Sequence, residues 1–133
     1  MSTVSFSEPV LTEIDYVRLS ALNRNQASAE LTAVLDEAEI VPARAMPVNV
    51  ATMYSRLWIR DNFSGIERMV TLCYPQDANP EEGFISVLSP AGAKLLGRST
   101  GQTVVWAGPD GVERSMTIDA VMFQPESGDD QKP

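Results

Sequence analysis

Histidine is absent from this sequence of 133 residues, and cysteine occurs once. Histidine is the commonest acid–base side chain and the commonest zinc ligand, so its absence excludes a histidine-based catalytic site and, with one cysteine, a structural zinc site. No intramolecular disulfide can form. Cys73 stands between Leu72 and Tyr74 in a strand-like run, where we expect the thiol to be a small buried hydrophobic group.

Basic residues are also scarce. There are 10 Lys and Arg residues against 18 Asp and Glu residues, which gives a formal charge of -8. The average field of such a protein repels phosphate backbones and anionic lipid surfaces, which disfavours direct binding to nucleic acid or to a membrane. A basic groove on a nucleic-acid-handling enzyme is still complementary to it. The charge therefore favours a protein partner.

Long apolar runs are missing, and residues 1–15 contain neither a basic segment nor an apolar core typical of a secretory signal. We therefore expect a cytoplasmic protein with no membrane partner. A hydrophobic content of 44% and a charged content of 21% are those of an ordinary globular protein. A chain of this length can bury one good core rather than two.

Catalytic motifs are missing as well. No glycine-rich segment matches a phosphate-binding loop or a dinucleotide fingerprint. Ser89 lies in the sequence LSPAG, which is not a nucleophile elbow, and no imidazole is present to activate it. The acids Asp36, Glu37 and Glu39 could hold a cation, but such a run is more often a solvated helix face. We expect no enzyme activity, no cofactor and no bound metal.

The N-terminal part of the chain is predicted to be helical. Thr12 is the expected N-cap of a first helix that runs to about Leu22, with Leu11 and Tyr16 as a hydrophobic staple. Four apolar residues at helical spacing predict its buried face. They are Ile14, Val17, Ala21 and Leu22.

The polar residues 23–28 predict a turn, after which Ser28 or Asn25 can cap a second helix that continues until Pro42. The buried face of the second helix is predicted to carry Leu31, Val34, Leu35 and Ala38. Residues 11–41 are thus expected to form a short antiparallel helical hairpin resembling a coiled coil. Residues 42–49, with prolines at both 42 and 47, are expected to be a linker.

The periodicity then changes from 3.6 to 2, which predicts strands. We expect strands at 52–60 and 66–74 joined by a turn, a loop at 75–83, a third strand at 84–88, and a last hairpin formed by 103–106 and 112–123. Between them, Ser89 is the expected N-cap of a short helix, Pro90 its first residue and Gly97 its terminator. The predicted class is α+β, with an antiparallel β domain at 50–126 crossed by one helix, and residues 127–133 form a disordered tail.

The order of these segments resembles the Rnk family, the regulators of nucleoside diphosphate kinase, which are related to the GreA/GreB transcript-cleavage factors. The similarity covers residues 11–126. It is carried by VLTEIDYVRLSAL at 10–22, MYSR at 53–56, LCYP at 72–75, ISVLSPAGAKLLG at 85–97 and FQPE at 123–126.

This resemblance implies that the β domain is FKBP-like and that the protein binds RNA polymerase near its secondary channel, with the β domain at the rim and the helical hairpin pointing inward. In the Gre relatives, the segment equivalent to Ser89, Pro90, Ala91 and Gly92 is part of the docking surface. Helix capping explains Ser89 and Pro90 without any partner, and the two roles are compatible.

The hairpin tip differs from that of the Gre factors. Their tip carries acidic residues suited to holding a catalytic magnesium ion. Here the tip is formed by Asn23, Arg24, Asn25 and Gln26, followed by Ala27 and Ser28, and the nearest acid is Glu30. We therefore expect a regulator that competes with Gre factors without stimulating transcript cleavage.

Two alternatives remain open. The protein could regulate the level or activity of nucleoside diphosphate kinase, either directly as a kinase partner or indirectly. The FKBP-like topology also raises prolyl isomerisation, but a fold alone is poor evidence of activity, and we expect no catalysis in a proline-peptide assay.

Overall fold

The computed structural model describes residues 8–125, and the predicted tail at 127–133 lies outside this range. The chain begins with β1 (Val10–Thr12), α1 (Glu13–Asn25), α2 (Ala29–Glu37) and β2 (Glu39–Val41). The predicted caps are confirmed. Thr12 Oγ1 accepts a hydrogen bond from the backbone N–H of Asp15 at 3.1 Å, and Ser28 Oγ accepts one from that of Leu31 at 3.1 Å.

The helix ends differ from those predicted. Helix α1 continues to Asn25, so Asn23, Arg24 and Asn25 form its last turn and only residues 26–28 connect the helices. Helix α2 ends at Glu37 and not at Pro42, because β2 follows and pairs in parallel with β1. The pairing joins the two ends of the helical segment, and nothing in the local sequence pattern indicated it.

The predicted buried face of α1 is wrong for two of its residues. Ile14 is 55% exposed and Val17 is 65% exposed, whereas Asp15 and Leu19 are buried. Tyr16, the predicted staple partner of the buried Leu11, is also exposed. All of β1 is buried and α1 begins at the next residue, so the orientation of β1 decides which side of the helix faces the core. On α2, in contrast, Leu31, Val34 and Leu35 are buried as predicted.

The remaining elements form the β domain. They are β3 (Arg56–Asp61), β4 (Glu67–Cys73), β5 (Phe84–Ser86), α3 (Pro90–Leu95), β6 (Thr103–Ala107) and β7 (Glu113–Phe123). The strands make a five-stranded sheet in the order β5-β4-β3-β7-β6. The α+β class and the two predicted β-hairpins, β3–β4 and β6–β7, are therefore confirmed.

The prediction of an antiparallel sheet is wrong at one edge. Strands β3, β4, β6 and β7 pair in antiparallel fashion, but β5 runs parallel to β4 with Leu72 opposite Ile85. Residues 74–83 contain two 3-10 turns and bring the chain back alongside Thr71 of β4, where β5 begins. The loop therefore decides the direction of β5, and alternating hydrophobicity does not encode strand direction.

One core is shared by the helices and the sheet, in agreement with the limit set by chain length. Leu19 and Leu31 of the helices belong to the same buried cluster as Leu57 of β3, Leu72 of β4 and Leu95 of α3. Cys73 is also buried, as expected.

Residues 42–49, predicted as a linker, contain a 3-10 turn at Ala43–Ala45. Met46 is buried in a second small cluster with Val10 and Val50. Within the described range no helix is both long and apolar enough to cross a bilayer.

The opposite face of the sheet carries polar and aromatic side chains. On β3, Arg56, Trp58 and Arg60 alternate with buried residues. The guanidinium of Arg56 lies 5.4 Å from the centre of the Phe123 ring, and Arg60 forms a salt bridge of 3.1 Å with Asp119. These pairs join β3 to β7 across the solvent-facing side.

Candidate partner-binding site

The segment predicted to dock, Ser89, Pro90, Ala91 and Gly92, forms the first turn of α3 together with its cap, and we call it the elbow. Ser89 Oγ accepts a hydrogen bond from the Gly92 N–H at 3.1 Å and donates one to the Ser86 carbonyl at 2.7 Å. Pro90 occupies the first helical position, where no N–H is needed. The elbow is thus capped by its own Ser89 and hydrogen-bonded through Ser89 to the last residue of β5.

Gly92 is required by the close approach of the backbone at Ser86. A Cβ on Gly92 would lie 2.1 Å from the Ser86 carbonyl oxygen, which no side chain can tolerate without a shift of the backbone. The sequence predicts helix-end roles for Ser89, Pro90 and Gly97, whereas Gly92 was predicted only as part of the docking segment and not as a packing residue. A glycine inside a helical pattern was the available signal, since it usually has a packing reason.

The far end of α3 is fixed by Gly97, whose φ of +81° is the left-handed conformation expected of a helix terminator. Its carbonyl accepts a hydrogen bond from Val10 N–H at 3.1 Å, and its N–H donates to the Ala51 carbonyl at 2.8 Å. The short helix is therefore held from both the N-terminal strand and the start of the β domain.

The tip of the helical segment is organised by Asn23. Its side chain accepts a hydrogen bond from Ser28 N–H at 3.0 Å and donates one to Thr32 Oγ1 at 2.8 Å, so it bridges the two helices. Arg24, Asn25 and Gln26 are exposed. The tip has no carboxylate, and Glu30 interacts with Ser28 Oγ at 3.4 Å.

The elbow lies beside the start of α2. A shallow groove of about 350 Å³ is lined by residues from α2, α3 and β6. These residues are Ala29, Glu30, Ala33, Pro90, Lys94, Val105, Trp106 and Ala107. The structure therefore brings Pro90 of the elbow close to the residues that follow the tip, while the four predicted tip residues themselves do not line this groove.

Tyr54 has an unusual backbone conformation that the sequence pattern did not indicate. It is the one non-glycine residue among 8–125 with a positive φ, at 63°. Its hydroxyl donates a hydrogen bond to the carboxylate of Asp77 and accepts one from Tyr74 N–H at 3.4 Å, and the two tyrosine rings lie 5.9 Å apart. Such a conformation persists only when its surroundings hold it, as this network does.

Burial, together with the hydrogen bond to Asp77, raises the pKa of Tyr54 to about 12. Burial also raises the pKa of the neighbouring Cys73 thiol, and the charge of Asp77 adds to the effect. Both groups are therefore neutral near pH 7, and the Cys73 thiol is not an activated nucleophile. No group of three or more Cys, Asp or Glu side chains in the described part of the chain is arranged to hold a metal ion.

Comparison with known proteins places these features in a family. The family model described as "Transcription elongation factor, GreA/GreB, C-term" matches residues 46–123, which include the sheet and the elbow. The regulator of nucleoside diphosphate kinase from Escherichia coli strain K12 is 32% identical over 127 residues, covering 91% of this chain and 93% of the relative.

Two further relatives carry transcription-factor names. Transcription elongation factor GreA from Treponema pallidum is 32% identical over 85 residues, which are 64% of this chain and about half (49%) of the relative. A solved structure of a GreA/GreB elongation factor from Nitrosomonas europaea superposes with a TM-score of 0.73 at 30% identity, covering 89% of this chain and 100% of the other.

Proposed function

Because this chain belongs to the family of regulators of nucleoside diphosphate kinase and carries the C-terminal domain of GreA/GreB, we propose that it is a non-catalytic regulator that binds RNA polymerase. In this proposal it acts in the cytoplasm, near the secondary channel of the polymerase. Helices α1 and α2 serve as a short hairpin, and the sheet with α3 serves as an FKBP-like docking domain. The relatives named as transcription elongation factors support a role in transcription.

The rigidity of the elbow is the single observation that supports docking most directly. Ser89 Oγ donates a hydrogen bond to the Ser86 carbonyl and accepts one from the Gly92 N–H, and Gly92 approaches Ser86 so closely that no room is left for a side chain. A contact surface that is already ordered loses little entropy when a partner binds. Pro90 and Ala91 are half-buried in this turn and are the residues that we propose to contact the polymerase.

The tip supports the non-catalytic part of the proposal. A hard cation such as Mg²⁺ requires oxygen ligands, mainly carboxylates. The exposed tip residues Arg24, Asn25 and Gln26 offer none, and Asn23 is engaged in bridging the helices. A protein with this tip would occupy the Gre-type site without bringing a metal ion, so it would compete with Gre factors and leave the transcript uncleaved.

Competition with a labelled Gre factor for purified RNA polymerase tests the proposal. We expect displacement of the Gre factor and no cleavage of RNA in backtracked complexes. Ala91→Arg should weaken displacement at least tenfold, whereas Ala78→Arg, in the exposed loop before β5, should have no effect. Absence of binding, or stimulated cleavage of the transcript, would contradict the proposal.

A second candidate function is regulation of nucleoside diphosphate kinase, direct or indirect, which the name of the Escherichia coli relative supports. Direct action requires the purified protein to bind the kinase or to change its rate. If co-purification recovers polymerase and not the kinase, and if the kinase rate is unchanged by the added protein, direct regulation of the kinase is excluded.

A further inference from the structure

Strand β6 is an edge of the five-stranded sheet, and three of its residues direct their backbone groups away from β7. The Gly108 N–H bonds to the Val112 carbonyl at 2.9 Å and the Ile118 N–H to the Gln102 carbonyl at 3.1 Å, which fixes the hydrogen-bonding phase. Along an antiparallel strand, residues whose N–H and C=O groups bond to the partner strand alternate with residues whose groups point away from it. Thr103, Val105 and Ala107 are therefore the residues whose N–H and C=O groups point outward.

These outward groups are left open. Across residues 8–125, no backbone hydrogen bond joins Thr103, Val105 or Ala107 to an element on the outer side of β6. A side-chain contact supports this assignment. Thr103 Oγ1 lies 2.7 Å from Thr117 Oγ1, as expected when Thr103 and Thr117 are a closely spaced pair that exchanges no backbone hydrogen bonds.

The strand also lacks the usual protection of an edge. Its sequence TVVWA contains no charge and no proline, and Val105 is 43% exposed. Natural proteins normally protect exposed edges with lysine, proline, bulges or a covering element. An uncharged, β-prone edge of this kind is a ready site for the pairing of another strand.

The groove described above runs along this same edge. Val105, Trp106 and Ala107 form one wall, and Ala29 and Ala33 of α2 form part of the other, where small side chains leave room. Trp106 packs partly against the core, so its wall is rigid. The open edge and the open groove are independent observations that coincide at the same residues.

The groove carries two charged side chains, Lys94 of α3 and Glu30 of α2, and neither forms an ion pair with a described residue. The Glu30 carboxylate accepts a hydrogen bond from Ser28 Oγ at 3.4 Å, whereas no described hydrogen bond engages the Lys94 ammonium. The molecule as a whole is strongly acidic, so long-range attraction does not select an acidic ligand. A carboxylate brought into the groove by backbone pairing would nevertheless meet the Lys94 ammonium at short range.

We propose that the β6 edge and its groove bind an extended segment of a partner protein by strand addition. The segment would pair with Thr103, Val105 and Ala107 through its backbone, place alternate apolar side chains against Trp106 and the small residues of α2, and direct one acidic side chain to Lys94. Although Pro90 borders both surfaces, the inference does not depend on the proposed function, because neither the edge nor Lys94 belongs to the elbow.

Binding to an array of synthetic heptapeptides tests this directly, with no polymerase present. The peptides alternate Val, Ile or Phe with Thr or Ser and carry either one Glu or one Lys. We expect micromolar binding of Glu-containing peptides and weaker binding of their Lys counterparts. In the best peptide, N-methylation of alternate residues that face β6 should abolish binding, and N-methylation of the other set should be tolerated. Amide exchange at Val105 and Ala107 should slow when the peptide is bound.

Matched variants locate the site. Val105→Lys places a charge on the edge strand and should lower peptide affinity at least tenfold. Val112→Lys, at a residue 53% exposed in the neighbouring turn, should leave the affinity unchanged. Val105→Pro removes only the outward N–H, which an edge strand tolerates, and should act like Val105→Lys. Lys94→Glu should reverse the preference between Glu and Lys peptides.

Failure of every peptide to bind, or binding that is insensitive to both N-methylation patterns and to Val105→Lys, would overturn strand addition. A wild-type dimer that Val105→Lys converts to a monomer would also overturn it, because the occupant would then be a second copy. Peptide binding that persists in Ala91→Arg, together with lost polymerase binding, would show that the two surfaces are separate.

Discussion

Gly92 and Ser86 approach so closely that a Cβ on Gly92 would lie 2.1 Å from the Ser86 carbonyl oxygen. This contact sets the position of α3 relative to β5 and so presents the elbow. Because the obstacle is backbone, it cannot be relieved by a rotamer change.

Gly92→Ala should therefore destabilise the protein by roughly 1–3 kcal/mol, the usual cost of overpacking. Urea denaturation followed by circular dichroism measures the change. The matched control is Gly108→Ala, because a Cβ there would first meet the Arg114 Nε at 3.0 Å and the Asp110 carboxylate, which can move aside. Equal losses in both variants would contradict the assigned role of Gly92.

The elbow cap should matter for binding as well as for stability. Ser89→Ala removes the acceptor for the Gly92 N–H and should cost about 1 kcal/mol of the free energy of unfolding. Ser28→Ala removes the equivalent cap of α2 at similar cost. Only Ser89→Ala should weaken polymerase binding by more than its stability loss explains. A similar loss of binding in both variants would argue against the elbow as the contact surface.

The orientation of α1 can be tested by comparing the stability effects of substitutions at a buried and at an exposed position. Leu19→Ala should destabilise the protein by roughly 2–5 kcal/mol because Leu19 is fully buried, whereas Val17→Ala should change stability by no more than about 0.5 kcal/mol. Thermal or chemical unfolding measures both. A large loss at Val17 and a small one at Leu19 would reverse the orientation of α1 described here.

Tyr54 should make stability depend on alkaline pH. Its folded pKa is about 12 against the ordinary value of 10.0, so the folded state keeps a proton that the unfolded state loses. The stabilisation from Tyr54 is therefore complete below pH 10 and decreases as the pH rises toward 12.

Tyr54→Phe should remove this pH dependence and should also cost about 0.5–1.5 kcal/mol near pH 7, because the hydrogen bonds to Asp77 and Tyr74 are lost. Unfolding measured between pH 8 and pH 12 checks both effects, with Tyr16→Phe on the exposed surface as control. An unchanged pH dependence in Tyr54→Phe would assign it to another group.

Much of the local structure could be predicted from the sequence because it depends on neighbouring residues. Thr12, Ser28 and Ser89 were identified as helix caps, and each accepts the hydrogen bond of the residue three positions later. The hairpins follow from alternating hydrophobicity and turn residues, and Gly97 has the left-handed conformation expected of a terminator. The family resemblance was also visible in these segments.

The acid-free tip, the absence of histidine and the strong negative charge are properties that the sequence determined by itself. The tertiary structure alone decided the β1–β2 pairing, the parallel direction of β5, the inward side of α1, the strained backbone of Tyr54 and the open edge of β6 beside Lys94. The physical reason is that caps and turns are satisfied within a few residues, whereas strand direction, helix orientation and edge exposure depend on contacts between segments far apart in the chain.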